Sequence, residues 1–299
     1  MSFKQTKSER GAGYASICTA CSGPLKVFGI RKKFVYCRCD SCGTLQLAPL
    51  PDKVQLDKFY GERYAGEGHY YGDPEEALRG NRPLYEAVAA IVSNKARPGC
   101  RVLDIGCGWG HLCRIIKERG FDCLGLDPSP VFVGYCCAHG LKVTSGDLEM
   151  PGAVSGQFGA VTSVAVIEHL VNHEVFFRNV ISLLEPEGVA VILCPTAWVP
   201  AKLGMLHLEL RRTMELPELH RTFCPPWHTV LFSIKGLSLM IKGAGFILEQ
   251  ILPAPSGRDR GAMAILQKAA TIVSRMGFLV FGDHWPVSMS HIFVCRKPS

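Results

Sequence analysis

The stretch Val102-Leu103-Asp104-Ile105-Gly106-Cys107-Gly108-Trp109-Gly110-His111-Leu112 constrains this chain more than any other. An apolar run ends in a turn with three alternate glycines, and apolar residues at Leu112, Ile115 and Ile116 then fall at helical spacing. The order is strand, glycine turn, helix. Glycine reaches backbone angles closed to other residues and lets a ligand lie against the main chain. The start of the following helix offers unpaired N–H groups to an anion.

Acidic residues recur at the ends of the next strands. Phe121 to Leu126 reads as a strand that ends at Asp127-Pro128. The interval from the glycine turn to Asp127 is about twenty residues, the spacing of a carboxylate that grips ribose hydroxyls. Leu141 to Leu148 again puts an acid, Asp147, after a strand. Asp104, Asp127 and Asp147 therefore share the carboxyl edge of one sheet, where open α/β sheets bind ligands. For any one of them, a helix cap or turn role is the competing reading.

Leu103 to Gly110 resembles the first motif of class I S-adenosylmethionine-dependent methyltransferases. A dinucleotide dehydrogenase would show Gly-x-Gly-x-x-Gly, and position 111 is His. Phe158 to Leu170, with Glu168-His169, is similar to that family's fourth strand. Leu184 to Pro195 is similar to its fifth strand, and Phe232 to Phe246 to its late helix and turn. The resemblance runs over residues 80 to 299 and implies a Rossmann-like, seven-stranded α/β sheet flanked by helices. It implies S-adenosylmethionine as cofactor. Asp104 would take the methionine amino group, and the amides near Gly106, Cys107 and Gly108 its carboxylate. Asp127 and Pro128 would lie at the ribose, with Asp147 and Leu148 at the adenine.

Cys18, Cys21, Cys39 and Cys42 form two Cys-x-x-Cys pairs separated by seventeen residues, inside the spacing of a zinc ribbon. Four thiolates close a tetrahedron and leave no open position, so the expected zinc is structural. Cys37 competes with Cys39 for one ligand place. The expected organisation is a disordered tail over 1–15, the ribbon over 16–48 and a connector over 49–80. The methyltransferase domain follows over 81–299. Phe59, Tyr60, Tyr64, Tyr70 and Tyr71 make the connector either a lid over the site or a linker packed on the surface.

Strands are expected over 101–105, 122–126, 141–145, 159–165, 188–194, 246–252 and 290–296, alternating with helices as in a parallel sheet. Helices are expected over 82–96, 110–119, 129–139, 172–185 and 233–244. Two insertions break the rhythm. Residues 196–230 carry Trp198, His207, Arg211, Arg212, His220, Arg221, Trp227 and His228 and read as a basic cap suited to an anionic small-molecule acceptor. Within 258–285, residues 262–281 read as an amphipathic helix with Ile265, Ala269, Ile272, Val273 and Met276 on one face. That face is expected to pack on the core, with peripheral contact to a membrane surface as the alternative.

Methyl transfer to a hydroxyl benefits from a general base, and His is the usual one. The candidates are His228, His169 and His220, with Glu168 beside His169. Relatives with Glu-x-x-Glu-His can bind a divalent metal there, but the first Glu position is Ala165 in this chain, so no catalytic metal is expected.

The chain has 299 residues, 47% hydrophobic, with a formal charge of +7. That charge permits an acidic acceptor or a nucleic acid without requiring either. Fourteen cysteines and a polar segment from Met1 to Arg10 point to a reducing, cytoplasmic setting. The leading expectation is a methyltransferase acting at oxygen or carbon of a small-molecule intermediate that is sugar, nucleotide-linked or lipid-like. An RNA methyltransferase using the ribbon to grip nucleic acid is the alternative, but no long basic tract supports it. A non-catalytic scaffold is the third reading, and the intact glycine turn with its three acids argues against it.

Overall fold

The computed structural model describes residues 17–56, 58, 72–149, 153–217, 222–255, 262–282 and 285–299, with side chains from 269 onward in the last helix. The expected tail, the five connector aromatics, His220 and Arg221 lie outside the described residues.

Three N-terminal strands, β1 (Leu25–Arg31), β2 (Phe34–Cys39) and β3 (Leu45–Leu47), form an antiparallel meander. Helix α1 (Pro74–Lys95) follows, then β4 (Arg101–Ile105), α2 (His111–Glu118), β5 (Asp122–Asp127), α3 (Pro130–Ala138) and β6 (Lys142–Ser145). The second half runs β7 (Phe158–Val164), α4 (His173–Leu183), β8 (Leu184–Pro195), α5 (Trp198–Arg211), β9 (Val230–Leu231) and α6 (Ile234–Gly243). It closes with β10 (Ile247–Pro253), α7 (Ala262–Phe281) and β11 (Ser290–Arg296).

The large sheet has seven strands in the order β10-β11-β8-β7-β4-β5-β6. The fold class is therefore the expected one. The sheet is mixed, because β11 pairs antiparallel with both β8 and β10. Residues alternate between its two faces, as a strand's period of two requires. Val102 packs with Val88, Val92 and Ile116 on the side of α1 and α2. Leu103 packs with Phe176, Phe177 and Leu237 on the side of α4 and α6. Each fully buried Phe of this core is worth about 1.5–3 kcal/mol relative to an exposed one.

Helix α1 starts earlier than the sequence pattern indicates. Asp73 caps it by accepting from the amides of Glu75 and Glu76, and Pro74 takes the first position. Its first two turns carry Glu75, Glu76, Arg79 and Asn81, so no apolar period marks them. Strand β8 begins at Leu184, earlier than the expected 188, and the helix before it ends at 183.

The insertion 196–230 contains α5, and its end supplies β9, which pairs antiparallel with β3. The small N-terminal sheet therefore has the order β1-β2-β3-β9, with its fourth strand taken from the C-terminal half of the chain. Cys18, Cys39 and Cys42 pack in the same core cluster as Leu103 and Phe177. The ribbon is built into the molecule.

The apolar face of α7 is a second departure. Ile272, Val273, Met276, Leu279 and Val280 are all more than half exposed, while Ser274 is buried. The ring of Trp285 packs where a Cβ on Gly277 would lie, so the helix rests on its small-residue side. Among the described residues no helix is long and apolar enough to cross a membrane.

Candidate active site

A cavity of about 710 Å³ opens along the carboxyl edge of β4, β5, β6, β7 and β8. Gly106, Gly108, Asp127, Pro128, Asp147 and Leu148 line it, together with Glu168, His169 and His228. The side chains read as site residues thus converge on one space, apart from Asp104 and Cys107. Those two border an adjoining cavity of about 200 Å³ that also touches Gly106 and Gly108.

The glycine turn is shaped by what lies against it. Gly106 has φ +66°, and a Cβ there would come within 2.4 Å of Val166 Cγ2. Only glycine fits that approach. The Gly106 amide donates to the carbonyl of Leu126, tying the turn to the end of β5.

Asp104 is buried, and both its oxygens are engaged. Thr162 Oγ1 donates to Oδ1 at 2.7 Å, and the Cys113 thiol to Oδ2 at 3.4 Å. Burial, followed by the Cys107 sulfur, pushes the Asp104 carboxyl up to about 8. Asp127 accepts from the Gly108 amide and from the Ser129 amide, each at 2.9 Å. Burial and then Cys107 push its carboxyl up to about 6, against the lowering effect of those two amides. Asp147 accepts from the Glu149 amide at 2.8 Å and pairs with Lys53 Nζ at 3.1 Å.

Among the other lining residues, Glu168, His169 and His228 bring their ligand atoms within 4.8 Å of one another. His169 Nδ1 donates to the carbonyl of Trp227 at 3.0 Å, and His228 Nδ1 to the carbonyl of Thr222 at 2.9 Å. A carbonyl only accepts, so each Nδ1 carries the proton. Burial lowers His169 to about 3 and His228 to about 4, so both rings are neutral at pH 7. Burial pushes Glu168 up to about 8, and its Oε2 has no hydrogen-bond partner. The 3.9 Å approach of Glu168 to His169 is thus a contact of neutral groups at pH 7. The Trp227 ring stacks on His169 at 5.3 Å, and His169 lies 5.0 Å from His228.

The ribbon holds this group in place. Tyr36, fully buried on β2, donates its hydroxyl to the carbonyl of His228 at 3.2 Å. Thr229, beside His228, donates its amide to the carbonyl of Glu168 at 2.9 Å.

The four ribbon cysteines also converge. Their sulfurs lie within 4.8 Å of one another, with Cys18–Cys42 at 3.6 Å and Cys21–Cys39 at 3.5 Å. Tetrahedral bonds of about 2.3 Å to one zinc ion put sulfurs about 3.8 Å apart. The donor set fits that ion. Cys39 joins the group and Cys37 does not, which removes the ambiguity between them.

Sequence reasoning missed Lys53, Asn81, Tyr85, Phe132 and Met289 as cavity-lining residues, while Trp227, named with the cap, does line the cavity. The others come from elements far apart in the chain and carry no local signal.

A model of the methyltransferase domain matches residues 75–251, more than half of the chain. The ubiquinone biosynthesis O-methyltransferase of Xanthomonas campestris pv. campestris (strain B100) is 31% identical over 145 residues, covering 46% of this chain and 58% of that protein. The trans-aconitate 2-methyltransferase of Mycobacterium tuberculosis (strain ATCC 25177 / H37Ra) is 43% identical over 70 residues, covering 23% of this chain and 26% of that protein. The chain thus spans less than two thirds of either relative. Among solved structures, a Burkholderia thailandensis 1,6-didemethyltoxoflavin-N1-methyltransferase with bound 1,6-didemethyltoxoflavin and S-adenosylhomocysteine superposes with a TM-score of 0.54. It is 14% identical, over 90% of this chain and 98% of that one, and shows the fold alone. With its seven-stranded sheet and glycine turn, this chain belongs to the S-adenosylmethionine-dependent methyltransferase domain family.

Proposed function

We propose that this protein transfers a methyl group from S-adenosylmethionine to an oxygen or carbon of a small-molecule biosynthetic intermediate. One observation carries the reading. A single cavity joins the glycine turn, Asp127 and Asp147 to two neutral imidazoles and a buried carboxyl. When bound, the cofactor supplies a methyl group on a sulfonium, already a strong electrophile.

The protein's work is then alignment and proton removal. Asp127 takes the ribose hydroxyls, with Pro128 beside it. Asp147 takes the adenine amine, and Leu148 packs on the ring. The turn from Gly106 to Gly108 receives the carboxylate end, with Asp104 beneath it. His228, its Nδ1 proton held by Thr222, keeps the Nε2 lone pair for a proton from an acceptor hydroxyl. His169 and Glu168 complete that group. Four ribbon thiolates hold a structural zinc, and Tyr36 transmits the ribbon's position to His228.

A second reading of Glu168, His169 and His228 is a divalent-cation site that orients the acceptor. Their mutual distances and the unpaired Glu168 oxygen favour it. The exposed apolar face of α7 supports contact with a lipid surface, beside which a lipid-like acceptor would be met. Sedimentation with anionic vesicles tests this; equal recovery of wild type and Met276→Asp with the vesicles would refute it.

Calorimetric titration with S-adenosylhomocysteine tests the cofactor site. Label transfer to candidate acceptors then tests the chemistry, with and without a chelator. His228→Ala should lower the rate by about 10²–10⁴ with cofactor affinity unchanged. A rate equal to wild type would remove His228 as the base, and a rate lost to chelator while the melting temperature holds would select the cation reading.

A further inference from the structure

A second cavity, of about 760 Å³, lies between the ribbon, α5, α6 and β10. It shares no lining residue with the first: Pro195 faces one, and Thr196, the next residue, faces the other. Four cations from three elements converge on it. They are Arg38 on β2, Lys202 on α5, and Lys235 and Lys242 on α6. Among the described residues no carboxylate lines the cavity.

Several cations elsewhere meet carboxylates, as Lys95 meets Glu249 at 3.1 Å, Arg97 meets Glu185 at 2.6 Å and Lys142 meets Asp122 at 2.7 Å. Here Lys235 donates only to the carbonyl of Ser41, and Lys202 sits 5.9 Å from the centre of the Trp198 ring. The one anionic group in the lining is the Cys42 thiolate of the ribbon cluster, so the four cations outnumber it, repel one another and favour a further anion among them. Lys235, Ser238 and Lys242 fall a turn or so apart on one face of α6, so a hydroxyl lies between two of the cations.

The cavity is too large for a bare anion and falls in the range of sites for small organic ligands. Trp198, Met205 and Ile251 give it an apolar wall. We propose that this second cavity binds the phosphoryl group of a phosphate ester that carries an apolar body. The ester is either a lipid headgroup or a soluble molecule. The lipid source is within reach, because Pro286 lines the cavity and the preceding Trp285 stacks on Phe281 at the end of α7.

The test is calorimetric titration of the full, zinc-loaded chain with two probes, inorganic pyrophosphate and dihexanoyl phosphatidic acid below its micelle concentration. Both should bind saturably, and the double variant Lys202→Glu/Lys242→Glu should weaken both by at least about tenfold, since charge-assisted contacts to phosphate are the strong ones. Its unchanged melting temperature and S-adenosylhomocysteine affinity would show that it folds. Tighter binding of the phosphatidic acid than of pyrophosphate assigns a lipid source; equal or weaker binding assigns a soluble ester. No saturable binding by wild type, or binding that the double variant keeps, overturns the proposal. A wild type that binds pyrophosphate but not S-adenosylhomocysteine would instead overturn the methyl-transfer reading and leave this cavity standing.

Discussion

Asp127→Asn keeps the volume of the side chain and removes its charge. Asp127 accepts two amide protons, from Gly108 and from Ser129, each at 2.9 Å. Asparagine offers one acceptor oxygen and an NH₂ donor. One of the two amides therefore loses its partner and faces another donor, at a cost of about 1–3 kcal/mol. That lowers the melting temperature by a few degrees. Loss of the charged contact to a ribose diol removes a further ~1.5–3 kcal/mol of binding, or about 10–150-fold in Kd.

The same residue predicts a pH dependence. Burial, then Cys107, raises the folded carboxyl to about 6, above its unfolded value. The stability this group contributes is therefore fully present below the unfolded pKa and lost as pH rises through about 6. Cofactor binding has the opposite sign, because the hydroxyls donate to the ionised form. Wild-type affinity for S-adenosylhomocysteine should fall about tenfold per pH unit below 6, and the Asn variant should lack that slope. Calorimetry from about pH 5 to 8 reads both. Equal affinity of the two proteins at neutral pH, with no slope in the wild type, would refute the placement of Asp127 at the ribose.

Gly106→Ala should abolish cofactor binding, because its Cβ would sit 2.4 Å from Val166 Cγ2, whereas Gly108→Ala meets nothing within 4 Å and should do so only in part. Calorimetry of the pair checks this, and equal affinities would refute it. Chelation should release about one zinc per chain and lower the melting temperature, since the cluster packs in the same core as the large sheet. An unchanged melt would deny zinc a structural role. Tyr36→Phe leaves the His228 carbonyl without its buried donor, at a cost of about 1–3 kcal/mol. The melting temperature and the methyl-transfer rate should both fall while S-adenosylhomocysteine affinity holds; a full rate would separate the ribbon from catalysis.

Much of the cavity's lining was legible in the sequence because its signals are local. The glycine turn, Asp127 and Asp147 each stand at or just after the end of a strand, and strand ends lie on one edge by topology. The four-cysteine cluster was legible by spacing, apart from the choice between Cys37 and Cys39. Lys53 carried no such signal, because its pairing with Asp147 joins positions far apart in the chain. The exposed face of α7 was misread, since periodicity says that a stripe is apolar and not which side of the helix meets the core. Ser274 and the small Gly277 decide that side by fitting where a large residue would not.

The sequence by itself determined the alternation of strands and helices, the seven-stranded class and the clustering of acids at one edge. The alternation follows from side-chain period and the clustered acids from strand ends that share an edge, while the seven-stranded class followed from the motifs' resemblance to class I methyltransferases. The tertiary structure alone decided that β9 joins the ribbon's sheet, that Tyr36 reaches His228, and that burial lowers the pKa of both His169 and His228. Those properties depend on which distant surfaces exclude water together, and no local run of residues encodes that.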